Sequence, residues 1–194
     1  MRRRTFDALV SVAGLVLAAV LIAAGGLLLW GHSFVDSQVS TQLVAQKIVF
    51  PSRSNPEFKA LPPADAAAMG QYAGQTMTTG AQAKVYADNF IGFHLSKMGG
   101  TYSALSGESL AQPNNTKLAA LVNTVFKGTT LRGMLLNAYA FWEMGVIALW
   151  AALVSFIGAA FFLILSGLGF AHSRRVSASA EVLPKLTAPE KAIA

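Results

Sequence analysis

The sequence predicts an all-α membrane protein in which two transmembrane helices extend into an extracytoplasmic helical bundle. Charge is absent from Ala8 to Gly31 and again from Met144 to Ala171, and arginines stand beside both runs. Between the runs, apolar residues recur at helical spacing and show no persistent alternation.

Of the 194 residues, 54% are hydrophobic and only 12% charged, a balance that departs from ordinary soluble proteins. The net charge of +6 comes from arginines beside the apolar runs and singly scattered lysines. That distribution fits membrane orientation and argues against a nucleic-acid partner. The sequence contains no cysteine, which excludes disulfides, thiolate metal sites, a cysteine nucleophile and a lipoprotein anchor.

Five organisational segments follow: residues 1–7 as a cytoplasmic N-terminus, 8–30 as transmembrane helix 1, 31–143 as the extracytoplasmic helical domain, 144–171 as transmembrane helix 2, and 172–194 as a disordered cytoplasmic tail. The first apolar run exceeds the roughly 7–15 residues of a cleaved signal peptide's core and lacks an A-x-A-like site at the right depth, so it reads as an uncleaved signal anchor. Arg2, Arg3 and Arg4 precede the first span, and Arg174 and Arg175 follow the second. Both termini are therefore expected in the cytoplasm of a multi-pass plasma-membrane protein. Small residues at four-residue spacing, Gly14 with Ala18 in the first span and Ala148 with Ala152, or Ala151 with Ser155 and Ala159, in the second, are candidates for close helix packing. Neither span carries an ionisable residue in its middle, which argues against a pump or channel formed by this chain alone.

In the intervening domain the first helix is expected to continue to Phe50, where Pro51 stops it, with a loop to Pro63. A helix over Asp65–Tyr72 and another over Ala81–Met98 follow. The second is closed by Gly99 and Gly100, and its apolar face includes Phe90, His94 and Leu95. Thr101–Leu110 reads as a short helix, and Asn114-Asn115-Thr116 as the cap of the next. Lys127-Gly128-Thr129-Thr130 reads as a C-terminal glycine followed by a new N-cap, so the chain is expected to turn before a last helix that begins near Leu131.

Few residues suggest chemistry. His94 is the most tempting site, but Asp88 lies six positions away on another side of the helix, and a lone histidine on an apolar face is usually a core residue bonded to a backbone carbonyl. Trp30, Trp142, Glu143 and Arg132 are candidate interface residues, with Arg132 three turns before Glu143 on the same face. The acidic residues show no paired spacing for acid and base roles. Nucleophile-elbow and phosphate-loop signatures are absent from the sequence. No cofactor or metal is expected.

The segments Met1-Arg2-Arg3-Arg4-Thr5-Phe6-Asp7, Thr79 to Asp88 and Thr130 to Trp142 resemble a group of small actinobacterial two-span membrane proteins of uncharacterised function, over most of the chain up to Arg175. Its members often carry the label of aromatic ring-opening dioxygenase. That label implies iron held by histidines and a carboxylate in a soluble fold, and no such constellation is visible here. The resemblance implies a bacterial plasma membrane and transfers no active site.

The expected function is that of a non-enzymatic membrane protein, embedded in the lipid bilayer, whose external domain binds a protein partner or a second copy in an envelope complex. The alternative is an extracytoplasmic ligand-sensing module acting through a separate cytoplasmic partner. A metal-dependent oxygenase, the third reading, finds no ligand set.

Overall fold

A computed structural model describes residues 2–177 and Val182, and among these the protein is all-α. Two long helices dominate: α1 (Arg3–Ala45) and α7 (Thr116–Arg175). Between them lie α2 (Pro56–Lys59), α3 (Pro63–Gly70), α4 (Gly80–Val85), a π-helical turn (Tyr86–Ile91), α5 (Gly92–Ser96) and α6 (Tyr102–Ala111). Both long helices are long and apolar enough to cross a membrane. The expected disordered tail falls outside the described residues apart from Val176, Ser177 and Val182, and α7 itself runs to Arg175.

The chain divides into two compact units, Met1–Trp30 with Leu149–Ala194, and Gly31–Ala148. The second unit thus extends beyond Met144, where the sequence places the start of the second span.

In the first unit, α1 and α7 pack antiparallel. Ser11 meets Gly169, Gly14 meets Ser166, Leu21 meets Gly158 and Gly25 meets Phe156. Buried positions recur every seven residues, at Ser11, Ala18 and Gly25 on α1 and at Ala152, Ala159, Ser166 and Ser173 on α7. This is the period of a left-handed coiled coil, with small residues in the seam so that the backbones approach closely. Of the small residues singled out in the sequence, Ala18, Ala152 and Ala159 are buried in this unit and Gly14 faces Ser166. Ser155 is half-buried, its hydroxyl donating to the Ala151 carbonyl at 2.8 Å. Ala148 is half-buried at the end of the second unit. Carrying the register outward from Gly25 and Phe156 puts Trp30 level with Trp150, and these are 67% and 64% exposed.

In the second unit, Phe50 is the centre of the core. It is buried with Met69 and Met77, and the rings of Tyr72 and Tyr86 each lie 5.3 Å from its own. α1 does not reach Phe50 as expected. It ends at Ala45, Lys47 turns the chain with φ +52°, and Val49 forms an isolated antiparallel bridge with Thr76. Extended backbone here lets Phe50 donate to Gln75 O at 2.9 Å and accept from Gly74 N at 3.1 Å, holding the ring in the core. A helix through Phe50 would forfeit both bonds.

Two further expectations are corrected. The helix over Ala81–Met98 is interrupted by the π-helical turn, and α7 runs unbroken through Gly128. Gly128 is there for space: a Cβ on it would lie 2.8 Å from Leu95 Cδ2. The expected start of that helix holds, since Asn115 Oδ1 accepts from Leu118 N at 3.1 Å. Thr79 and Gln82 form a capping box at the start of α4, with Gln82 Oε1 accepting from Thr78 N at 2.7 Å and Thr79 N at 3.1 Å.

Candidate functional site

Two arrangements in the unit Gly31–Ala148 stand out, one polar and one apolar. The polar one is built on the π-helical turn. Arg132 Nη2 donates to Asp88 Oδ1 at 2.7 Å, and its Nε donates to the Ala87 carbonyl at 3.2 Å. Ala87 O is also the acceptor for Gly92 N in the widened turn, and a Cβ on Gly92 would make only ordinary van der Waals contact with Arg132 Nε, at 3.6 Å. Asp88 takes a second charge from Lys84 at 2.7 Å. Partial burial disfavours the Asp88 carboxylate, but the hydrogen bonds and charges of Lys84 and Arg132 outweigh it and lower its pKa. The next residue, Asn89, donates to Asp65 Oδ1 at 2.7 Å on α3. Consecutive side chains thus anchor the turn to two different helices. This is a structural network in which each charge already has a partner.

His94 belongs with the core. Its Nδ1 lies 2.7 Å from the Phe90 carbonyl, and its ring meets Phe90 in a tilted contact at 4.5 Å and Phe93 edge-on at 5.3 Å. Asp88 faces Arg132 and Lys84 and makes no contact with it. Among the described residues no group of three His, Asp or Glu side chains could hold a metal ion.

The interface candidates separate. Trp142 packs against the core, with its Cβ where a side chain on Gly80 would stand. Arg132 pairs with Asp88 and not with Glu143, and Glu143 is half-exposed with no ion pair among the described residues. Trp30 lies at the edge of the other unit.

The apolar arrangement is a groove of about 630 Å³ between the Phe34–Ile48 stretch and residues 131–141 of α7. Its floor is buried Val39, Leu43 and Leu135, and its walls are exposed Leu131, Met134 and Phe141. Gln38, Gln42 and Gln46 stand along one rim at four-residue spacing, and Asn137 also lines it. No charged residue lines the groove. Helical periodicity over Phe34–Val49 was legible in the sequence, but that part of this apolar face lines an open groove was not. Elsewhere in the same unit, Tyr102 and Phe126 pair at 5.4 Å while 40% and 50% exposed, and Leu110 on α6 is 82% exposed.

An all-α protein with two bilayer-length apolar helices and an uncharged groove is the class that this fold and site define. Comparison with protein-family models, with curated proteins and with solved structures gives no match to this chain.

Proposed function

We propose that the chain is a two-span membrane protein with both termini in the cytoplasm, and that the unit Gly31–Ala148 is an external head that binds without catalysing. Exposure supports the membrane part. Of the most apolar window in each long helix only 17% and 11% is buried, whereas a core helix of a soluble protein is mostly buried. Leaving Leu17, Val20, Ile22, Ile157, Phe161 and Ile164 in water at 47–71% exposure would oppose folding. Each such side chain gains about 1.5–3 kcal/mol from burial, against a net domain stability of about 5–15 kcal/mol. The arginines at both ends support this orientation, and Trp30 with Trp150, at one level, fits an outer boundary better than Trp142 does. The resemblance noted above adds a bacterial plasma membrane as the setting.

A protein partner or a second copy is the binding reading we favour. The observation that carries it is the exposed Tyr102–Phe126 pair between α6 and α7, because aromatic side chains are frequent interface anchors, with Leu110 also exposed at the other end of α6. A photo-crosslinking amino acid at Leu110, in native membranes, is expected to capture a discrete protein or a second copy. Recovery of the monomer alone, under conditions where known complexes are captured, would refute this reading. A second reading, a ligand-binding head, is favoured by the groove, whose volume lies within the roughly 300–1,000 Å³ of small-molecule sites.

A further inference from the structure

We infer that the cytoplasmic end of the α1–α7 pair binds an anionic phospholipid of the inner leaflet, its phosphate held by arginines from both helices. The inference rests on the membrane reading above and names a lipid that the spans select.

Three observations choose this occupant. The first is a juxtaposition of residues from opposite ends of the sequence. Within one compact unit α1 and α7 pack antiparallel, with Ser11 against Gly169 and Asp7 Oδ2 3.9 Å from His172 Nε2. Arg2, Arg3 and Arg4 at the start of α1 therefore share one end of the pair with Arg174 and Arg175 at the close of α7. All five are exposed, and none forms an ion pair among the described residues. Asp7, the one carboxylate beside them among the described residues, is largely buried, and its Oδ2 is shielded from solvent. The exposed patch is thus strongly positive, which favours a net anionic headgroup over a zwitterionic one.

Depth is the second. Arg4 lies four residues before Ala8, about 6 Å along the helix, and Arg174 three residues after Ala171, about 4.5 Å. The headgroup layer outside a ~30 Å hydrocarbon core is about 5–7 Å thick on each side, so both helices carry guanidinium groups at the depth of the lipid phosphates.

The third is what lies beside the charges. A cavity of about 320 Å³ between α1 and α7 runs inward from His172, walled by Phe6, Val10, Leu17, Phe162 and Leu165. Charge outside and an apolar wall inside is the order of a phospholipid, phosphate and then tail. A soluble phosphate or an acidic peptide would use the arginines alone. Orientation in the membrane calls for cations at this end, but not for an apolar cavity between them. The arginines of α1 also oppose the positive pole of their helix, where no acidic residue stands in the first turn. A bound phosphate offsets that repulsion.

The test uses the full chain in vesicles of phosphatidylethanolamine and phosphatidylglycerol in equal parts, with a trace of one or the other lipid carrying a diazirine near its glycerol. After irradiation, mass spectrometry is expected to find adducts at Phe6, Val10 and Leu165 about tenfold more often from phosphatidylglycerol. At Trp30 and Trp150, the other end of the spans, the two lipids should label alike. Arg174→Gln with Arg175→Gln should remove most of the preference and leave labelling at Trp30 and Trp150 unchanged, while Arg2, Arg3 and Arg4 keep the orientation. Arg174→Lys with Arg175→Lys should retain most of it, since the charge remains. Equal labelling by the two lipids at Phe6, Val10 and Leu165 would overturn this inference and leave the membrane reading standing. So would a preference that survives the glutamine pair. A preference abolished by inorganic phosphate, but not by chloride of equal ionic strength, would mark a soluble-anion site and overturn it as well. Absence of adducts at both ends of the spans would overturn the two readings together.

Discussion

Arg132 on α7 grips the π-helical turn at two points, donating to the carboxylate of Asp88 at 2.7 Å and to the carbonyl of Ala87 at 3.2 Å. A charge-assisted bond and a backbone bond from one guanidinium fix the turn against α7 in a way that a point charge cannot. Arg132→Ala is expected to lower stability by roughly 1 kcal/mol, discounted for the partial exposure of the pair. Arg132→Lys should recover only part. Thermal unfolding in detergent, followed by circular dichroism, checks both.

The same cluster sets a pH dependence. The pKa of Asp88 is lowered from 3.8, so its contribution is present above that value and is lost as pH falls through the lower folded-state value. That of Lys84 is raised from 10.5 by its hydrogen bond to Asp88 and by that carboxylate's charge, and that of Tyr86 is raised from 10.0 by burial and then by the charge of Glu57. Their contributions are present below those values and are lost as pH rises through the raised ones. Melting temperature is therefore expected to fall at both extremes, and Asp88→Asn should flatten the acid limb.

Lys47 ends α1 in the left-handed region, with φ +52°. A side chain there costs about 1–2 kcal/mol, which glycine avoids, while glycine's greater unfolded-state freedom takes back roughly 0.5–1 kcal/mol. Lys47→Gly should thus stabilise by up to about 1.5 kcal/mol, and Lys47→Val should destabilise. The midpoint of chemical unfolding reads both.

Gly14 leaves the space that the Ser166 hydroxyl occupies, and Gly169 does the same for Ser11. Gly14→Val and Gly169→Val are expected to push α1 from α7 and cost about 1–3 kcal/mol each. Gly26→Val is the control, because a Cβ there meets nothing within 4 Å. Comparing the melting temperatures of the three variants in one detergent tests the seam.

Much of this fold was legible because it follows from local pattern. The uncharged runs gave both long helices, and Asn115 was readable as a cap. What escaped depends on distant partners. The four-residue spacing of Gly14 and Ala18 hid a seven-residue seam, because the period shows only once Gly25, Ala159 and Ser166 are paired across two helices. Gly128 looked like a helix stop, since nothing in the sequence reveals that Leu95 fills the place of its side chain. The π-helical turn is tied down by Arg132 from forty-odd residues away. Trp142, readable as a membrane-edge residue, lies against Gly80, and the groove combines residues from both ends of the head.

The central claim, two spans with the head outside and both ends inside, is open to a direct measurement because the chain has no native cysteine. Ser54→Cys places one thiol in the head and Thr5→Cys places one near the N-terminus. In intact cells a membrane-impermeant maleimide should label the Ser54→Cys variant at once, and the Thr5→Cys variant only after permeabilisation. Labelling of Thr5→Cys in intact cells, protection of Ser54→Cys, or release of the chain from membranes by alkaline carbonate would contradict it.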